Sequence, residues 1–79
     1  MAHITSTTYP VTGVATDADV KKALQALYDV FAEQGLGQAT FEITEEQARV
    51  IIKHKDTVTP DVDALNDVLA RVGDFRIGR

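Results

Sequence analysis

The stretch ATFEITEEQARVIIKHK, residues 39–55, contains two runs of alternating apolar and polar residues separated by a short turn. Alternation with a period of two indicates a β-strand that buries one of its faces. The predicted inward positions are Ala39, Phe41, Ile43, Ala48, Val50 and Ile52. We therefore expect an antiparallel hairpin that turns at Thr44-Glu45-Glu46-Gln47. The outward side chains of its second strand are Arg49, Ile51, Lys53 and Lys55.

Helical patterns flank the hairpin on both sides. Residues 17–34 carry apolar side chains at helical spacing, and Gly35 ends the pattern. These apolar positions are Val20, Ala23, Leu24, Leu27, Val30 and Phe31. The second helix is predicted to begin at Thr59-Pro60-Asp61, with the threonine as cap, the proline at the first helical position and the acid in the first turn. Its apolar stripe extends to Val72, and Gly73 ends it.

Both ends of the chain are predicted to be strands, over residues 4–12 and 74–77. Their predicted inward side chains are Tyr9, Val11, Phe75 and Ile77, while Arg76 lies on the outward side. Proline cannot donate to a strand ladder, so Pro10 is expected at the end of pairing, just before a turn at Gly13. We expect all five aromatic residues in the core or at its rim: Tyr9, Tyr28, Phe31, Phe41 and Phe75.

The order strand, helix, strand, strand, helix, strand predicts one α+β domain over residues 1–79. The simplest arrangement is a ferredoxin-like βαββαβ sandwich, in which both helices cover one face of a four-stranded antiparallel sheet. Right-handed crossovers leave few competing topologies. The second face of the sheet is then open to water or to a partner.

Composition restricts the classes of function. The chain has 79 residues, a formal net charge of −4 and no cysteine. Without cysteine there is no disulfide, thiolate metal site or thiol nucleophile, so a cytoplasmic location is expected. The start of the chain does not read as a signal peptide, and no apolar run is long enough to span a membrane. The negative charge argues against a nucleic-acid partner.

The loop before the first helix reads Gly13-Val14-Ala15-Thr16-Asp17-Ala18-Asp19-Val20. Together with the strand before it and the apolar helix after it, this loop resembles the start of a heavy-metal-associated domain, the small copper-chaperone module. The resemblance extends over nearly the whole chain in element order, and it implies a ferredoxin-like fold. That family reads Gly-Met-Thr-Cys-x-x-Cys across this turn, and alignment on Gly13 places Thr16 and Asp19 at the two cysteines. The resemblance therefore implies a degenerate metal site.

Loss of both thiols changes what this loop can do. Cu(I) prefers soft thiolate ligands, so delivery of Cu(I) is not expected here. Thr16 and Asp19 have the spacing of a capping box, which would start the first helix. The alternative is weak binding of a hard cation by Thr16, Asp17 and Asp19, although this loop offers few oxygen ligands.

The two histidines give a second metal hypothesis. His3 lies near the start of the first strand and His54 near the end of the third, and these strands are neighbours in the expected fold. Imidazole is a common ligand outside thiols, so His3 and His54 are candidates for Zn or Cu(II). Two ligands alone make an incomplete site, and the alternative is that each histidine lies at the surface or has its hydrogen bonds satisfied.

The sequence shows no catalytic constellation, so a non-enzymatic role is expected. The acidic residues of the turn and second helix indicate a solvated surface. We predict a protein-interaction module that binds a partner protein, or a second copy, through the open sheet face or an exposed strand edge. The candidate contacts are Arg49, Ile51, Lys53 and Arg76. Alternatives are a carrier of Zn or Cu(II) through non-thiol ligands and a small-molecule regulatory domain.

Overall fold

A computed structural model describes residues 3–78, so the predicted domain bounds of 1–79 extend past the described residues at both ends. The described part forms four strands and two helices. In chain order these are β1 (Ile4–Thr12), α1 (Asp17–Gln34), β2 (Ala39–Ile43), β3 (Ala48–Lys55), α2 (Val62–Leu69) and β4 (Arg76–Ile77). The predicted bounds of β1 and α1 are confirmed.

The four strands form one antiparallel sheet in the order β2-β3-β1-β4. The two longest strands, β1 and β3, lie in the centre and pair over eight residues, from Ile4 opposite Lys55 to Val11 opposite Ala48. The hairpin pairs β2 with β3, with Phe41 opposite Val50. This arrangement confirms the ferredoxin-like α+β fold.

The core lies between one sheet face and the two helices. Val50, Ile52 and Ile77 from the sheet and Leu27, Leu65 and Leu69 from the helices are almost completely buried. Alternation along β3 is confirmed: Ala48, Val50 and Ile52 are buried, whereas Arg49 and Lys53 are exposed. Burial of these branched side chains supplies most of the stabilisation of a small domain.

Pro10 does not lie at the end of pairing, as the sequence had suggested. It lies inside β1, opposite Arg49, and the strand continues to Thr12 opposite Arg76. The Pro10 carbonyl accepts a hydrogen bond of 2.7 Å from the Gly78 amide. The nitrogen of Pro10 therefore faces the end of β4, where the ladder stops, so the missing N–H costs one bond at most.

The second helix begins two residues later than predicted. Asp61, and not Thr59, is the N-cap, and its side chain accepts a hydrogen bond from the Ala64 amide. The Gln34 side-chain amide bonds both the N–H and the C=O of Asp61. Because these bonds fix Asp61 in an extended conformation, Pro60 lies before the helix, where it is buried.

The C-terminal end of α2 and the last strand are shorter than predicted. The helix ends at Leu69, and the amides of Arg71 and Val72 bond carbonyls three residues back, which tightens the last turn. Val72 is consequently exposed. Strand β4 starts only at Arg76, because its partner strand ends where Gly13 takes a φ of +88°.

Besides Val72, three apolar side chains predicted to be buried are exposed. Tyr28 is 77% exposed, and Leu24 and Ile43 are 38% and 41% exposed. Leu24 and Tyr28 lie one turn apart on α1, and Ile43 lies on β2, the strand at one edge of the sheet. Apolar surface therefore remains at this edge of the sheet.

Candidate functional site

The outward sheet face brings together three of the four predicted partner contacts. Arg49, Ile51 and Lys53 alternate along β3, and Ile51 lies between Thr8 of β1 and Thr40 of β2. Arg76 lies on the same face but two strands away, opposite Thr12. Ile51 is half-buried by its neighbours, whereas the three cationic residues are exposed.

The charge of this face is opposite to that of the chain. The outward positions of the described strands carry four basic side chains and one acidic side chain, namely Arg49, Lys53, Lys55, Arg76 and Glu42. Arg49 forms an ion pair with Glu42 at 3.3 Å. In the described residues Lys53, Lys55 and Arg76 have no ion-pair partner. Because the whole chain has a net charge of −4, the remaining surface is strongly acidic.

The loop that carries the family resemblance forms the cap of α1. Thr16 is the N-cap: its hydroxyl accepts a hydrogen bond of 3.2 Å from the Asp19 amide. The Asp19 carboxylate in turn accepts bonds from the amides of Ala15 at 3.0 Å and Thr16 at 3.2 Å. The predicted capping box is confirmed. Asp17 is exposed at the first position of the helix.

The capping role changes the acidity of Asp19. Its pKa is lowered from the usual 3.8, first by the hydrogen bond from the Ala15 amide and then by bonds from Thr16 and the nearby charge of Lys22. Burial opposes this shift. Backbone N–H donors favour the charged form of a carboxylate, so Asp19 acts as a helix-starting anion at neutral pH.

Of the two predicted histidine ligands, His54 has both ring nitrogens in hydrogen bonds. It is 7% exposed on the inner sheet face. Its Nε2 lies 2.8 Å from the Thr7 hydroxyl and its Nδ1 lies 2.8 Å from the Lys55 carbonyl. A carbonyl only accepts, so Nδ1 must donate; in the neutral ring, Nε2 then accepts from Thr7. A metal ion could bind only after displacing one of these bonds.

His3 is exposed, and its carbonyl accepts a hydrogen bond from the Asp56 amide, which extends the ladder of β1 and β3 by one step. Nowhere between residues 3 and 78 do three or more histidine, aspartate or glutamate side chains group in a way that could hold a metal ion. Thr16 and Asp19 are already used in the cap. Binding by these side chains therefore stays a prediction that lacks a complete ligand set.

Sequence reasoning did not anticipate how the two sheet edges differ. At the β4 edge, the Asn66 side chain of α2 donates to the Ile77 carbonyl at 3.0 Å and accepts from the Ile77 amide at 2.7 Å. This side chain replaces a neighbouring strand. Asn66 is a polar residue among the apolar positions of α2. This is the one signal in the sequence that could have indicated such a bond.

Comparisons of the chain with protein-family models, with curated proteins and with solved structures give no match. The family resemblance of the loop is therefore carried only by the residues quoted for it. Neither of the two described helices has the length and apolar character needed to cross a lipid bilayer.

Proposed function

We propose that this chain is a non-catalytic protein-interaction module whose outward sheet face binds an acidic surface of a partner protein. The observation that carries the proposal is the row Arg49, Ile51 and Lys53 on β3, flanked by threonines of β1 and β2. Ile51 supplies an apolar contact at the centre, and the cationic side chains surround it. Interfaces commonly combine an apolar centre with a polar rim.

The chemistry of this face favours a protein over a nucleic acid. Single-stranded RNA and DNA bind sheet faces by stacking bases on exposed aromatic rings. None of the outward positions on the described strands is aromatic, whereas threonine is frequent there. The cationic side chains attract an anionic surface of either class, so the lack of aromatic rings at the described outward positions is what favours a protein.

The test is an amide NMR titration with a probe of stated chemistry, a peptide that alternates glutamate and leucine. We expect shifts confined to the outward residues of β3 and its neighbours. Lys53→Glu should weaken binding about tenfold, which corresponds to roughly 1.4 kcal/mol. Arg71→Glu makes the same charge change in the exposed turn after α2 and should leave binding unchanged.

Two results would oppose this function. Equal losses in Lys53→Glu and Arg71→Glu would indicate a nonspecific effect of total charge. Saturable binding of a single-stranded oligonucleotide to the same residues, with none of the peptide, would assign the face to nucleic acid.

Binding of the peptide should also weaken in about 1 M salt, where the Debye length is about 3 Å.

A further inference from the structure

Strand β2 offers an unpaired backbone edge. The Thr44 amide bonds the Gln47 carbonyl and the Lys53 amide bonds the Gln38 carbonyl, both at 2.8 Å, and these bonds set the alternation of the β2–β3 ladder. In antiparallel pairing, every second residue points its N–H and C=O away from the neighbour. For β2 these residues are Ala39, Phe41 and Ile43. In the described chain no strand and no side chain bonds this edge.

The two edges of the sheet differ in how their free backbone groups are protected. At the β4 edge Asn66 satisfies both backbone groups of Ile77, and β4 is only two residues long. Strand β2 has five residues, with no lysine or proline among them. Its one charged side chain, Glu42, is paired with Arg49 on the outward face. Proteins usually protect edges by such residues or by covering them, so β2 has the features of an edge that pairs with another strand.

An apolar row on α1 runs beside this edge. Leu24, Tyr28 and Ala32 are spaced four residues apart, so they lie on one side of the helix, and all three are exposed. A groove of about 390 Å³ lies between this row and the start of β2, and Leu36 and Ala39 line it. A strand added to β2 would place its inward side chains against this row. The backbone edge and the apolar groove thus form one continuous surface.

We infer that this surface binds a second copy of the chain, with the two β2 strands antiparallel about a two-fold axis at Phe41. The strand is self-complementary in this register. Ala39 then lies opposite Ile43 of the second copy, and Thr40 lies opposite Glu42, so a small residue meets a large one and no like charges face each other. Phe41 pairs with its own equivalent through the two free backbone groups. This contact is isologous and closes as a dimer.

The same two-fold axis brings the α1 helices together as antiparallel neighbours on one side of the sheet. The row Leu24, Tyr28 and Ala32 meets its equivalent and removes the exposed Tyr28 from water. Lys21 then approaches the C-terminal half of the second α1, which carries Asp29 and Glu33. The contact between the two apolar rows and the attraction of Lys21 to the acidic side chains therefore both favour the register with the two-fold axis at Phe41. The product is a continuous eight-stranded sheet with two basic faces side by side.

Sedimentation equilibrium between about 1 µM and about 1 mM tests the dimer, since this range spans the affinities of weak and moderate complexes. We expect a monomer–dimer equilibrium in which Tyr28→Glu and Ile43→Lys each raise the dissociation constant at least about tenfold. Ile4→Lys is the matched control, because Ile4 is 67% exposed on β1, away from this edge. Circular dichroism confirms that each variant is folded, and Tyr28→Glu, at an exposed site, remains informative if Ile43→Lys unfolds.

Amide exchange locates the contact independently. The amides of Phe41 and Ile43 should gain protection as the concentration rises, and those of Thr40 and Glu42, already bonded within the hairpin, should not. A monomer over the whole range would overturn the inference, as would equal dissociation by Ile4→Lys. Growth beyond a dimer would indicate a head-to-tail contact and overturn the two-fold register. Lys53→Glu should leave the dimer intact, which separates this inference from the binding of an acidic partner.

Discussion

Asp19 and Thr16 each bond the backbone of the other, and this reciprocal pair starts α1. The Asp19 side chain also accepts from the Ala15 amide. Both bonds fall on Asp19 Oδ2, so a cation that bound through this oxygen would compete with the hydrogen bonds that cap the helix. The Thr16 and Asp19 side chains therefore serve to cap α1.

Asp19→Asn should lower the melting temperature at neutral pH and have a smaller effect in acid. The folded-state pKa of Asp19 is lowered below 3.8, so the unfolded chain binds the proton more tightly. The contribution of the charged form is therefore complete above about pH 5, decreases below pH 3.8, and is lost as pH falls through the folded-state pKa. Thermal melts of both proteins from pH 7 to pH 2.5 measure this difference.

Asp17→Asn is the matched control for this prediction. It removes the same charge two residues earlier, but the Asp17 side chain does not take part in the capping box. Its effect on the melting temperature should be smaller than that of Asp19→Asn at neutral pH. Equal effects of the two substitutions would mean that general interaction with the helix dipole, and not the specific bonds of Asp19, stabilises the helix start.

The same residues show what can be predicted from local sequence. The capping box depends on a spacing of three residues, so Thr16 and Asp19 could be assigned from the sequence alone. The hydrogen bond between His54 and Thr7 joins residues 47 positions apart and depends on the strand register. The alternation along β3 indicates the sheet face on which His54 lies. It does not indicate which side chain will form a hydrogen bond with its ring.

The bounds of a strand or helix could be predicted where the spacing of apolar residues alone defines them. They were predicted less well where contacts with other parts of the fold determine the ends. Strand β1 and helix α1 have the predicted bounds. The start of α2 moved to Val62 because the Gln34 side chain holds Asp61 outside the helix. The exposure of Tyr28 was also not predictable, because helical spacing identifies an apolar side of α1 but not how far the sheet extends beneath it.

The two hydrogen bonds between the Asn66 side chain and the Ile77 backbone join α2 to β4. Asn66→Leu preserves much of the side-chain volume but leaves both backbone groups of Ile77 without their partners. Ile77 is 1% exposed, so water cannot easily replace the amide. We expect a loss of about 1–3 kcal/mol in the free energy of unfolding. For a domain of this size, each 1 kcal/mol lowers the melting temperature by roughly 4–8 °C.

Gln34→Leu supplies the comparison for Asn66→Leu. Gln34 also forms two bonds with one backbone unit, that of Asp61, but its bonds are exposed whereas those of Asn66 are partly buried. Water can replace exposed bonds, so urea unfolding should show a smaller loss for Gln34→Leu. Equal losses of unfolding free energy in the two variants would show that burial does not make the Asn66–Ile77 bonds more important than the exposed Gln34–Asp61 bonds.

Across the whole molecule, the proposed ligands for a metal ion lie at opposite ends of β1. The His54 ring bonds Thr7 in the first half of this strand, whereas Asp17 and Asp19 follow its end. From Thr7 to Thr12 the strand rises about 16 Å at roughly 3.3 Å per residue, and the carboxylates lie beyond its end. The histidine and carboxylate candidates therefore cannot combine into one coordination sphere, and each group alone provides too few free ligands.

One equivalent of Zn²⁺ should consequently produce no saturable change in the amide spectrum at His54, Asp17 or Asp19. Binding would require rupture of the Thr7–His54 bond or of the capping box, and either loss would oppose the gain from two or three ligands. A weak effect at exposed His3 should disappear in His3→Ala. Saturation at one equivalent that is abolished by His54→Gln or Asp19→Asn would instead establish a metal carrier, because only a specific site depends on a named ligand in this way.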